Sequence, residues 1–222
     1  MVKVIYEDNH LLVVEKPVNI LSQGDDTNDK DMVNLLKNYV KEKYNKPGNV
    51  YLGLVHRLDR PVGGIMIFAK TSKAASRLSN QVREKVFKKK YLAVVDGKIE
   101  KQKGTLEDYL YKDERNNISK VVNKDKKNAK LAKLDYDVLK YNEVKNLSLV
   151  EINLHTGRHH QIRVQLSNFG HSIFGDLKYG TRGKGKQIAL WAYELTLEHP
   201  ITKEKMTFKD LPEAVGTWCI LK

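Results

Sequence analysis

The sequence predicts an α+β fold, and three observations lead there. β-like runs recur along the chain, some alternating and some wholly apolar. Three other segments carry apolar residues at helical spacing or have the signals that start and stop a helix. The two kinds of segment are interleaved without the regular βα period of a doubly wound sheet. No internal repeat and no Pro/Gly/Ser-rich linker interrupts the 222 residues, so 1–222 reads as one domain.

Val2–Tyr6 and Leu11–Glu15 read as a hairpin across the turn residues Glu7-Asp8-Asn9-His10, with Pro17 ending the second strand. Gln23–Lys30 is polar and reads as a loop. A helix is predicted over Asp31–Tyr44, where Met32, Leu35, Leu36, Tyr39 and Val40 share one face and Pro47-Gly48 stops it. Ile65–Phe68, wholly apolar after Gly63-Gly64, reads as a buried strand. Thr71 or Ser72 caps a second helix with Ala75, Leu78, Val82 and Val86 as its stripe. Tyr91–Val95 is a strand closed by Asp96-Gly97, and the charged stretch Lys112–Lys133 a loop or an edge hairpin. Leu134–Tyr141 and Leu147–Leu154 alternate and read as paired strands. A third helix is expected from Gly157 to Asn168, with Thr156 as N-cap and Gly170 as its stop. Ile188–Leu197 and Met206–Phe208 are further strands, and Thr217–Ile220 a terminal strand that buries the single thiol, Cys219.

One cysteine makes neither an internal disulfide nor a multi-cysteine metal site, and a cytoplasmic, reducing setting is the default. The start is unlike a signal peptide, and no apolar run approaches the ~20 residues of a membrane span. Forty Lys and Arg against 27 Asp and Glu leave a net charge of +13. Such a surface attracts polyanions, although abundant lysine can also do no more than keep a protein soluble.

Three segments carry candidate chemistry. In Gly53–Gly64, Asp59 stands between Arg57 and Arg60, next to His56, in a turn leading into a buried strand. The two arginines would hold the carboxylate ionised, although an acid between arginines is often only a surface salt bridge. In His155–Leu166, the side chains of Arg158, His159, His160, Gln161 and Arg163 crowd a helix start, which suits phosphate. A metal on the histidines is disfavoured, because no cysteine or acidic cluster completes a shell and the arginines repel a cation. In Lys88-Lys89-Lys90-Tyr91, an aromatic follows a basic run, so a base could stack while lysines hold phosphates. A strand tyrosine beside solvated lysines would look the same.

Together these segments resemble the RluA family of RNA pseudouridine synthases. The matching motifs are His56–Arg60, Gly64–Thr71, Lys89–Ala93, Thr156–Arg163, Gly170-His171 and Gly175–Gly180. The likeness runs from Val13–Pro17 to Glu198-His199-Pro200. The chain departs from the family pattern at Asn19, where glycine is common, at Gln165, where histidine is common, and at Trp191. Asn tolerates the left-handed turn that glycine would make there.

The resemblance implies a mixed, mostly antiparallel central sheet flanked by helices and loops. It implies isomerisation of uridine to pseudouridine in ribosomal or transfer RNA, on a flipped-out base, by a cytoplasmic monomer without cofactor, metal, membrane or obligate protein partner. The catalytic residues would be Asp59, acting as nucleophile or base at the sugar, Tyr91 packing on the uracil, and Arg163 pairing with the aspartate. His56, Arg57, Arg60, Lys88, Lys89, Lys90, Arg158, His159, His160 and Gln161 would face the RNA. Many relatives carry a small N-terminal RNA-binding module, which is not expected here. Two other readings stay open: a catalytically silent RNA-binding or RNA-folding protein of this fold, and a glycosidase or glycosylase. The second normally needs two flanking carboxylates, and only Glu151 and Asp176 offer themselves.

Overall fold

The computed structural model describes residues 2–181 and 186–222. Strands β1 (Val4–Glu7) and β2 (Leu11–Lys16) form the expected antiparallel hairpin. Its turn is fixed by Asp8, whose Oδ1 accepts the His10 and Leu11 N–H groups at 2.7 Å each. Helix α1 (Met32–Lys43) starts where Asp31 accepts the Asn34 N–H and buries Met32, Leu36 and Val40. It ends at Tyr44, before Pro47 is reached. The short β3 (Gly53–Leu54) precedes β4 (Gly63–Ala69), buried along its whole length.

Helix α2 (Ser72–Arg83) is capped by Thr71. Val86 lies beyond its end, so the expected stripe stops one turn early. Gln81 turns inward instead: its side chain donates to the Glu198 carbonyl (2.7 Å) and accepts the Glu198 N–H (3.0 Å), as a neighbouring strand would. Then come β5 (Lys88–Asp96), β6 (Lys103–Asp113), β7 (Ile118–Val122), β8 (Lys130–Asn142) and β9 (Leu147–Leu154). The charged stretch 112–133 is thus an edge hairpin, β6 turning into β7, followed by the start of β8.

Helix α3 (Gln161–Asn168) is four residues shorter at its start than expected. Thr156 does not cap it. Its hydroxyl meets the Lys133 N–H (2.8 Å) and Gln161 Oε1 (2.8 Å), and the helix begins from His160 in the left-handed region, φ 53°. Gly170, at φ +92°, follows the helix end as predicted. Strands β10 (Leu190–Glu198) and β11 (Lys205–Lys209) pair antiparallel. The predicted terminal strand is a 3-10 helix, Gly216–Leu221, and Cys219 is exposed rather than buried. Gly216, at φ +56°, turns the chain into i→i+3 hydrogen bonds, and the alternation of a strand is lost.

The α+β expectation of mostly antiparallel strands and few helices holds. By contacts the chain divides into two compact units, Met1–Lys88 with Ala192–Leu211, and Lys89–Trp191 with Pro212–Lys222. In the first, strands run β1-β2-β4-β10, with β3 on β4 and β11 on β10. Its core joins Leu11 and Val13 of β2, Ile65 and Ile67 of β4, Leu78 of α2 and Leu195 of β10. In the second, strands run β5-β9-β8-β6-β7, and Val164 of α3 packs with Leu110 and Ala132. Among the described residues, no helix is long and apolar enough to cross a membrane.

Candidate active site

Asp59 sits at a turn closed by the Val62 N–H donating to its carbonyl at 2.9 Å. The chain on both sides of it is clamped. Before it, the Leu58 carbonyl accepts from the Ser22 hydroxyl (2.7 Å), and the Leu58 N–H returns a bond to the same oxygen (3.0 Å). After it, the Arg60 carbonyl accepts from the Lys16 ammonium at 3.0 Å. Lys16 Nζ also donates to the carbonyls of Pro17 (2.9 Å) and Ile20 (2.7 Å), and the residue is fully buried. Burial pulls its pKa down to about 7, against the nearby charge of Asp59, which pushes it up. The return strand approaches its neighbour closely. Gly64, at φ +118°, faces β10 with no room for a side chain, since a Cβ there would lie 2.2 Å from the Ala192 carbonyl oxygen.

The arginines beside Asp59 do not form the hydrogen-bonded bracket that the sequence suggested. Arg60 turns to Asp29 (2.8 Å) and the Asn19 carbonyl (3.3 Å). Asn19 takes the left-handed conformation, φ 65°, as expected of a glycine substitute. Arg57 is exposed and has no hydrogen bond or ion pair among the described residues. His56 is buried: its Nε2 accepts the Ile67 N–H at 3.2 Å, and its ring lies 5.4 Å from that of Phe87. Lys88 is exposed.

In the second unit, Tyr91 is buried in β5, opposite Ile152 of β9. Burial lowers the pKa of Lys89, and Lys90 pairs with Glu151 at 3.1 Å. That pair gives Glu151 a structural partner. Arg163 is buried on α3 and grips Asp176 in a two-pronged pair, Nε to Oδ2 at 2.8 Å and Nη2 to Oδ1 at 2.7 Å. Burial pushes the Asp176 pKa up, but the Arg163 hydrogen bonds and charge, with the Lys178 and Tyr179 N–H groups, outweigh it and leave it lowered. Asp176 thus helps to hold the Arg163 guanidinium in place.

The other predicted RNA contacts divide by burial. Arg158 is exposed and donates from Nε to the Leu131 carbonyl at 2.9 Å. Gln161 is buried; its Oε1 accepts the Arg158 N–H (3.0 Å) and its Nε2 donates to the Lys133 carbonyl (3.1 Å), tying the loop to β8. His159 and His160 stack with ring centres 3.7 Å apart. His160 Nδ1 meets the Tyr179 hydroxyl (2.8 Å), and His159 Nδ1 meets the Ser119 hydroxyl (3.0 Å). His155 stands away from this pair, against Asp135 at 2.5 Å.

The sequence reading missed Lys16 and Ser22 as supports of the Asp59 turn. Lys16 left a signal, a lysine ending a strand just before Pro17. Ser22 left none.

A family model described as RNA pseudouridylate synthase matches residues 10–168. A Bacillus subtilis relative named "Uncharacterized RNA pseudouridine synthase YhcT" is 34% identical over 203 residues, covering 90% of this chain and 65% of that one. "Ribosomal large subunit pseudouridine synthase D" of Zymomonas mobilis is 33% identical over 218 residues, covering 93% and 68%. The chain thus spans about two thirds of the length of these relatives. The fold is shared with a solved structure described as "Human RNA Pseudouridylate Synthase Domain Containing 1", at TM-score 0.78 and 22% identity, covering 98% of this chain and 86% of that one.

Proposed function

Because the chain belongs to the RluA family of RNA pseudouridine synthases, we propose that it converts uridine to pseudouridine in structured RNA, with Asp59 as the carboxylate acting at the sugar. The observation that carries this is the Asp59 turn. A half-buried carboxylate whose neighbours' carbonyls are held by Ser22 and Lys16 is pre-positioned, as a group that must meet one carbon atom needs to be. In the reaction, the bond from the sugar carbon C1′ to N1 of uracil breaks. The freed base turns, C1′ bonds to C5, and the C5 proton is lost while N1 gains one. No electrons enter or leave. Asp59 acts either by attacking the sugar or by taking a proton from it.

Tyr91 takes the place of the aromatic that packs on the uracil, and Arg163 is the cation serving the carboxylate. Residues 1–222 work as one catalytic domain, in the cytoplasm and as a monomer. The target leaves its stack at a cost of a few kcal/mol, and Arg57, exposed and unpaired among the described residues, is suited to the space it vacates. Arg158 and Lys88, both exposed, meet phosphates. Buried His56, His160 and Gln161 act on RNA through the segments they hold. Ribosomal RNA is favoured over transfer RNA, since relatives from Zymomonas mobilis and Rickettsia prowazekii are named for the large ribosomal subunit.

Asp59→Asn and Asp59→Ala should abolish pseudouridine formation and leave RNA affinity within about twofold of wild type, since the change removes chemistry rather than phosphate contacts. Tritium release from C5-labelled uridine in total RNA, beside filter binding, reads both. Conversion at the wild-type rate by either variant would overturn the assignment. A wild-type chain that binds RNA but modifies none of it would favour the silent RNA-binding reading.

A further inference from the structure

The second unit has a solvent face of which the catalytic reading uses only Arg158. Along β6, Leu110 points into the core with Ala132 and Val164, so its neighbours Tyr109 and Tyr111 point the other way, away from α3. Tyr109 is paired across the ladder with Val122 of β7 on one side and Leu131 of β8 on the other. Tyr111 lies opposite Lys120. Cross-strand partners share a face, so the ring of Tyr109 is at the centre of a small apolar strip. All of these residues are at least partly exposed, Leu131 by 38%. Neither tyrosine hydroxyl has a hydrogen bond among the described residues.

Cations ring this strip. Lys126 lies over the Tyr111 ring at 5.4 Å. The Arg158 guanidinium is anchored on the Leu131 carbonyl at 2.9 Å, and Lys133 stands two pairs further along, ion-paired with Glu107 at 3.0 Å. Lys124, Lys126, Lys127 and Lys130 have no carboxylate partner among the described residues. An apolar protein partner would have to strip water from these charges without replacing it. A polyanion with flat apolar groups would not.

We propose that this face binds an unpaired stretch of the RNA substrate, one base stacking on Tyr109 between Val122 and Leu131, with the adjoining phosphates on Lys126 and Arg158. A paired stem does not fit this role, because its bases are already stacked on each other. Every base has a π-face, so the contact adds affinity without reading sequence. The proposal rests on the reading of the chain as an RNA enzyme and deepens it.

The probe is a labelled single-stranded oligouridine, compared with a fully paired RNA duplex of equal length. Tyr109→Ala should weaken oligouridine binding about tenfold and leave duplex binding unchanged, while Tyr109→Phe binds as wild type. With an RNA hairpin that carries an unpaired flank, Tyr109→Ala should raise KM by a similar factor and leave kcat alone. Trimming the flank should abolish the difference between Tyr109→Ala and wild type. Circular dichroism of Tyr109→Phe and Tyr109→Ala reports whether each is folded. Wild-type oligouridine affinity in folded Tyr109→Ala, or equal losses in Tyr109→Phe and Tyr109→Ala, would overturn the surface. If wild type binds oligouridine through Tyr109 but forms no pseudouridine, the surface stands and the activity falls. If it forms pseudouridine and Tyr109→Ala matches it in KM with the flanked RNA, the activity stands and the surface falls.

Discussion

Lys16 shows how much one buried charge can organise. Three carbonyls surround its Nζ at 2.7–3.0 Å, and an ammonium offers three N–H groups to match them. A neutral amine offers two. Burial nevertheless favours that neutral form and brings the pKa down to about 7, from 10.5 in an unconstrained lysine. Between those values the unfolded chain holds a proton that the folded chain has released. Unfolding therefore takes up a proton, and this residue makes stability rise with pH from about 7 to 10.5. The largest slope one proton can give is about 1.4 kcal/mol per pH unit. Lys16→Met should be less stable than wild type, having orphaned three carbonyls, but its stability should rise less steeply over that window. Urea unfolding at a series of pH values measures both, and parallel curves would show that Lys16 stays protonated throughout. A lysine ending a strand just before Pro17 is the one local sign of this role, and it does not name the partners. Two of the carbonyls are nearby in sequence, but the third belongs to Arg60 and meets Lys16 only once β2 and β4 have paired.

Elements were legible where their signals are local. Helix α1 could be read because Asp31 caps it through its own side chain and the buried residues keep helical spacing. The start of α3 could not, because Thr156 turns its hydroxyl to β8 and a left-handed His160 begins the helix instead. Strand β6 was visible only as its charged end, since the part before it alternates between exposed and half-exposed positions. The hairpin β1–β2 is joined to α1 by Glu7, which no pattern revealed. Its carboxylate accepts from Lys43 (2.7 Å), Lys70 (2.7 Å), Tyr44 (2.8 Å) and Tyr39 (2.9 Å). Burial pushes the Glu7 pKa up, but these four donors outweigh it and bring it from 4.5 to about 2. The stabilisation is complete above about pH 4.5 and is lost as pH falls through about 2. Glu7→Gln should accordingly be less stable at neutral pH and show a shallower loss on acidification. Chemical unfolding between neutral and strongly acid pH checks this, and an unchanged acid limb would remove Glu7 from the account.

For the whole molecule, the net charge of +13 suits a polyanionic partner, but says neither where it lies nor what is done to it. Asp59 alone would have passed for a surface ion pair. Its standing came from motifs spread from His56 to Gly180, and the structure adds the clamp that holds its turn. The charge and the Tyr109 face can be separated experimentally, because they respond differently to salt. Phosphate contacts release counterions, so each one steepens the fall of affinity with salt, by about 0.7 in the log–log slope for a single strand. Stacking releases none. Replacing Lys124, Lys126 and Lys127 together by Gln should therefore reduce that slope by about 2 and weaken all RNAs to a similar degree. Tyr109→Ala should shift the line downward without tilting it. Oligouridine binding across a range of potassium chloride concentrations distinguishes the two. A slope unchanged in the triple variant would mean that the 124–127 lysines stay solvated in the complex, and the cationic rim would then reduce to Arg158 and its neighbours on β8.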